Sequence, residues 1–132
     1  NMVLNDPSRA NLGLFGAIGG GAVIKNVTID KSCSVYGTRY SAGLVAGVTK
    51  SGTILIENCG NEADVMVDNQ NGAGVLGVNF GNRGTVTINN CYNTGNITGS
   101  NESAGLSGWL GTNAVVRNSY NSGVIIGTDG DK

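Results

Sequence analysis

The chain has 132 residues, 39% of them hydrophobic and only 13% charged, with a net charge of −1 and no histidine. That length predicts one domain, and the near-neutral balance excludes the basic footprint that nucleic acid or an anionic lipid surface needs. No apolar run approaches the roughly 18 residues of a membrane span, and three cysteines at 33, 59 and 91 without histidine match no zinc pattern.

Residues 1–10 are too short for the repeat that follows. Met2-Val3-Leu4 predicts the last strand of a preceding coil or an N-terminal cap, with Asp6-Pro7-Ser8 as the turn out of it. Asn1-Met2-Val3-Leu4 lacks the basic and long apolar regions of a signal peptide, so the sequence reads as an internal piece of a longer parent chain with other domains.

From Asn11 onward the sequence repeats, over about 11–41, 42–72, 73–103 and 104–127. One anchor is a block of small and aliphatic residues: Gly13-Leu14-Phe15-Gly16, Gly43-Leu44-Val45-Ala46, Gly74-Val75-Leu76-Gly77 and Gly105-Leu106-Ser107-Gly108. Successive first glycines lie 30, 31 and 31 residues apart. The other anchor is an asparagine closing an apolar run: Asn26, Asn58, Asn90 and Asn118. Before each one, Ala22/Ile24, Ile54/Ile56, Val86/Ile88 and Ala114/Val116 fall two apart, which is a strand period.

With 23 glycines and 18 asparagines, a helical reading fails. A propeller blade of the WD type needs about 40–45 residues and a Trp-Asp signature that is missing. The pattern therefore predicts an all-β fold, a right-handed parallel β-helix (solenoid) of about four coils. Each coil has about 31 residues in three short strands and three turns, stacked at roughly 4.8 Å. Residues 128–132 read as a polar exit or linker.

Within the first coil, Gly19-Gly20-Gly21 reads as a corner, because no Gly-Lys-Ser/Thr and no helix pattern follow it. The distance between anchors varies from 13 to 16 residues, so this corner absorbs the length differences and is where specificity would reside. By strand parity Asn26, Asn58, Asn90 and Asn118 face inward and form a structural ladder at a turn. A glycan-acceptor reading competes at Asn26, Asn96 and Asn101, but Asn58, Asn90 and Asn118 share the column without the acceptor sequence. Beside that ladder, Val27, Cys59, Cys91 and Ser119 predict an interior stack with buried thiols at 59 and 91 and an unpaired Cys33.

Outside, Lys25, Glu57, Asn89 and Arg117 form one exposed column, with Lys25 and Glu57 paired. The same parity places Phe15, Val45, Leu76 and Ser107, and also Val23, Leu55, Thr87 and Val115, on the exterior. Such apolar outer columns imply an interface, unless bends beside the glycines reverse the parity. Among the acids, Glu62, Asp64 and Asp68 alone approach a cluster, as cation candidates through oxygen, although three nearby acids more often form a solvated edge. No constellation of nucleophile, base or paired carboxylates is visible, and no pattern calls for a cofactor. Trp109, Asn82, Arg83, Tyr92 and Tyr120 are the candidate binding surface, with Tyr92 and Tyr120 equivalent on adjacent coils and expected to stack.

The Gly-Leu-hydrophobic-Gly block followed by Ile88-Asn89-Asn90-Cys91-Tyr92-Asn93-Thr94-Gly95 resembles the GLUG repeat. That family occurs in bacterial surface proteins, including adhesin-like proteins and non-catalytic regions of immunoglobulin A peptidases. The likeness is nearest at Ala73–Gly77 with Ile88–Gly99 and at Ala104–Gly108 with Asn118–Gly127. Ala46, Val75 and Ser107 depart from the block, and the first coil has Val27-Thr28-Ile29 in place of Cys-Tyr-Asn. The resemblance implies a non-catalytic module, secreted or on the bacterial cell surface, that serves as an adhesin or stalk contacting a host protein or glycan. Alternatives are an accessory, substrate-orienting domain of a surface peptidase and a fragment of a polysaccharide-degrading β-helix enzyme.

Overall fold

The computed structural model describes residues 1–128 apart from the side chain of Asn82. The exit expected over 128–132 therefore lies, except for Thr128, outside the described residues, together with Asp129 and Asp131. Within them the chain winds into a β-solenoid of about four turns, with every strand pair parallel.

Four sheets run along its length. The first stacks Val3–Asp6, Ser34–Ala42, Asp64–Ala73, Ile97–Gly99 and Ile125–Gly127, in that order. The second stacks Phe15–Gly19, Val45–Lys50, Leu76–Asn79 and Ser107–Trp109, and the third Val23–Lys25, Gly52–Glu57, Gly84–Asn89 and Ala114–Arg117. The fourth is narrow: Thr28–Ile29, Gly60–Asn61, Tyr92–Asn93 and Tyr120–Asn121. Val3–Asp6 thus occupies the base of the first sheet, and Asp6 accepts hydrogen bonds from both the Ser8 amide and the Ser8 hydroxyl in the turn that follows.

Each turn has four strands rather than the expected three, and the anchor asparagines are the reason. Asn26, Asn58, Asn90 and Asn118 sit at φ of 59°, 54°, 53° and 50°. A single left-handed residue, which asparagine tolerates better than most side chains, breaks one apolar run into a third-sheet and a fourth-sheet strand. The same rotation turns their side chains outward: all four are exposed, so the inward placement drawn from strand parity is corrected. A second left-handed column, Asn11, Tyr40, Asn71 and Glu102, makes the bend from the first sheet to the second.

The register Ile24↔Ile56↔Ile88↔Val116 runs down the interior. Ile54, Ile56, Val86 and Ile88 are wholly buried there, each worth about 1.5–3 kcal/mol of burial. The expectation that Val45 and Leu76 face outward is corrected, since both are 0% exposed. Their block lies at a bend, so Leu44 and Val45 both enter the core while their amides pair with Gly74 and Val75 one coil on. By contrast Val23 and Val115 are exposed at 61% and 52%, with Leu55 and Thr87 half-buried between them on the outer face of the third sheet. At the last described coil the interior opens: Val116 and Ile125 are each 41% exposed, against 0% for Ile88 and Ile97 directly beneath.

Candidate functional site

Two asparagine ladders run parallel to the axis. On the outside, Asn58 Nδ2 donates to Asn26 Oδ1 at 3.2 Å and Asn90 Nδ2 to Asn58 Oδ1 at 2.7 Å. Asn118 leaves this ladder and donates to Asn89 Oδ1 at 3.1 Å.

The inner ladder was not anticipated from the sequence. Asn61 Nδ2 donates to Asn93 Oδ1, and Asn93 Nδ2 to Asn121 Oδ1, each at 2.7 Å. Every member also donates to the carbonyl two residues on, at Ala63, Gly95 and Gly123. Asn61 and Asn93 are fully buried. This ladder explains the first glycine of the second, third and fourth blocks, whereas Gly13 in the first is crowded by the Ala42 carbonyl oxygen at 2.8 Å. A Cβ built on Gly43 or Gly74 would stand 1.9 or 2.3 Å from the Oδ1 of Asn61 or Asn93, and one on Gly105 would stand 2.2 Å from Asn121 Cγ. The signal was present in the spacing of Asn61, Asn93 and Asn121. It was hidden because the first coil has Ile29 in that column, which also leaves Asn61 Oδ1 without a donor.

One corner departs from this regularity. The third coil is longest between its anchors, and the excess forms a short 3-10 turn, Phe80–Asn82, ahead of Arg83. Asn79, itself buried, clamps the excursion: its Oδ1 accepts the Gly84 amide at 3.0 Å while its Nδ2 donates to the Gly84 carbonyl at 2.8 Å and the Leu110 carbonyl at 3.0 Å. Phe80 folds back over Gly47, where a Cβ would come within 2.8 Å of the ring. It meets Tyr40 edge-on at 4.8 Å between centroids, and Arg39 stands 5.2 Å over the Tyr40 ring. Between this turn and the first coil lies an open cleft of about 470 Å³ lined by Asn11, Ala17, Thr49, Phe80 and Arg83.

No protein-family model matches the chain, and no curated protein or solved structure matches it significantly. Its site residues are therefore placed by their own geometry.

The candidate binding surface divides between faces. Trp109, 44% exposed, is on the second sheet and pairs with Val78, while Tyr92 and Tyr120 are on the fourth, stacked with centroids 5.8 Å apart and planes at 15°. Tyr92 lies across Gly60, whose Cβ would meet the ring at 2.2 Å, and its hydroxyl donates to Glu62 at 3.0 Å. Arg83 is exposed in the third-coil turn, and the side chain of Asn82 lies outside the described residues.

Glu62, Asp64 and Asp68 do not converge. Glu62 serves Tyr92; Asp64 Oδ1 accepts the Asn96 amide at 3.0 Å; Asp68 accepts the Tyr36 hydroxyl at 2.9 Å, a bond that pushes the Tyr36 phenol up from its ordinary range. No metal-holding group of three or more His, Cys, Asp or Glu side chains occurs among the described residues. On the third sheet Lys25 Nζ reaches Glu57 at 2.9 Å, Asn89 Nδ2 donates to the same carboxylate at 2.8 Å, and Arg117 Nε donates to Asn89 Oδ1 at 3.2 Å. Lys25, and after it Asn89, hold the Glu57 carboxyl below the usual glutamate range.

The interior column also contains the thiols. Cys59 and Cys91 are each 1% exposed and Cys33 is half-buried, all three as free thiols. A hydrogen bond with Cys59, and then burial, push the Cys91 thiol up. The expected result with a thiol reagent is that native protein reacts at Cys33 ahead of the other two, and that unreduced, unfolded protein yields three groups. A yield of one would show a Cys59–Cys91 bridge.

Proposed function

We propose that this chain is a non-catalytic display or recognition module of a bacterial surface or secreted protein, a GLUG-like solenoid that acts as an adhesin or stalk and contacts a host protein or glycan. One observation carries this reading: five carboxylates along the faces are committed to holding coils together. Glu57, Glu62, Asp64, Asp68 and Glu102 each accept a hydrogen bond from a residue about one coil away. Paired carboxylates working as acid and base need freedom to exchange protons with a substrate. Carboxylates engaged in stacking bonds instead stiffen a rod, and that suits a protein whose work is to present its loops at a distance.

The test is binding of the purified chain to a mixed array of host glycans, matrix proteins and immunoglobulins. Saturable binding that is lost on Trp109→Ala or Arg83→Gln identifies a recognition module. A folded chain that binds nothing on the array leaves the stalk role, and release of product from a polysaccharide panel would overturn the non-catalytic reading.

A further inference from the structure

We propose that the cleft between the Phe80–Arg83 turn and the first coil is a binding site for a carboxylated saccharide. The inference rests on the recognition reading above and names its ligand class and its place.

Three features of this cleft together favour a ligand. First, it is held rigid. Asn79 fastens both ends of the excursion from a fully buried position, and Phe80 is wedged between Gly47 and Tyr40. Second, Tyr40 supports that wedge from a left-handed backbone, φ 52°, at a bend where two of the other three coils use asparagine. A bulky residue at positive φ is strained, and such strain concentrates at binding sites, where surrounding contacts maintain it. Here those contacts are Phe80, Arg39 and the Gln70 amide, which donates to the Tyr40 hydroxyl at 3.0 Å. Third, Arg83 stands at the edge of the cleft, exposed and in no ion pair among the described residues, so its guanidinium faces the opening.

The lining selects the ligand. A single guanidinium offers a fork matched to one carboxylate, and among the described residues no second cation lines the cleft to balance a dianionic phosphate. Phe80 and Ala17 provide an apolar floor on which the C–H face of a sugar ring can lie. Asn11 and Thr49 flank it with an amide and a hydroxyl, the latter donating to the Ile18 carbonyl at 3.4 Å and so keeping its lone pairs for a sugar hydroxyl. A cleft of about 470 Å³ is within the ordinary range for small-molecule sites, about 300–1,000 Å³.

The experiment is an amide-resolved NMR titration of the full chain with D-glucuronate and, separately, D-glucose. Saturating shifts at Thr49, Phe80 and Arg83 are expected with glucuronate, with glucose weaker by roughly tenfold or more, the difference one charge-assisted fork makes. Arg83→Gln removes the preference without altering the spectrum elsewhere, because the Arg83 side chain is exposed and makes no ion pair among the described residues. Phe80→Leu weakens both sugars. Equal shifts with the two sugars, shifts confined to another face, or none at all overturn the proposal. Array binding that survives Arg83→Gln would sink this site alone and leave the recognition reading standing; loss of both array binding and glucuronate shifts in the folded wild-type chain would remove the two together.

Discussion

Replacing Asn93 by leucine is expected to cost about 3 kcal/mol of stability, although the volume is nearly kept and no charge is lost. Asn93 is wholly buried, accepts from Asn61, and donates to Asn121 and to the Gly95 carbonyl. A leucine leaves the Gly95 carbonyl without its donor and strands one Asn61 N–H in a dry interior. Orphaned buried groups cost about 1–3 kcal/mol each, and removing a central member of a network affects both neighbours. The outer ladder provides the contrast. Asn90→Gly keeps the left-handed bend and removes only an exposed amide, so its effect stays within about 0.5 kcal/mol. Urea denaturation of both variants measures the difference, and equal midpoints would show that the inner ladder is not a principal clamp between coils.

Gly95→Ala is expected to be harsher still, about 4 kcal/mol or enough to prevent folding. Its Cβ would be 1.9 Å from the Ala63 carbonyl oxygen and 2.5 Å from the carbonyl carbon. The obstacle is backbone of the coil beneath, which no rotamer change relieves, so the third coil must lift away from the second and lose core contact on both. A total stability of about 5–15 kcal/mol leaves little margin for that. Gly16→Ala is the matched control: its nearest neighbour, the Asn11 carbonyl oxygen, lies at 3.2 Å in the exposed first coil, and a cost below about 1 kcal/mol is expected. A thermal midpoint for Gly95→Ala within a few degrees of the parent would refute the close-approach account.

The two variants test one design. The inward asparagine, the glycine two residues after it in the third and fourth coils and the glycine that opens the second, third and fourth blocks are parts of a single contact between coils. Gly74 makes room for the Asn93 amide from one side, while Gly95 lets its own coil settle on Ala63 from another. In Asn61, the second-coil equivalent, the residue two on is Ala63 rather than glycine, and the amide bonds its carbonyl all the same. The requirement is thus for backbone reach at that carbonyl and for absence of a side chain only where the next coil presses.

Periodicity by itself determined the architecture. The recurrence of glycine blocks near every 31 residues and the two-residue alternation around Ile24, Ile56 and Ile88 encode stacked parallel strands, because each coil can bury its aliphatic face only against another like it. The buried Cys59 and Cys91 and the Tyr92–Tyr120 stack were legible for the same reason: equivalent positions in a repeat become neighbours in space.

Tertiary structure alone decided where the period-two rule fails. A residue at positive φ reverses the facing of its side chain, and nothing local distinguishes Asn58, which does this, from Asn61, which continues the strand and points inward. Tyr40 and Glu102 adopt the same left-handed bend without any sequence signal, since contacts from other coils hold them there. The cleft beside Arg83 was equally out of reach of the sequence: its walls come from the first, second and third coils, and Phe80 finds its seat over Gly47 only when the coils are stacked.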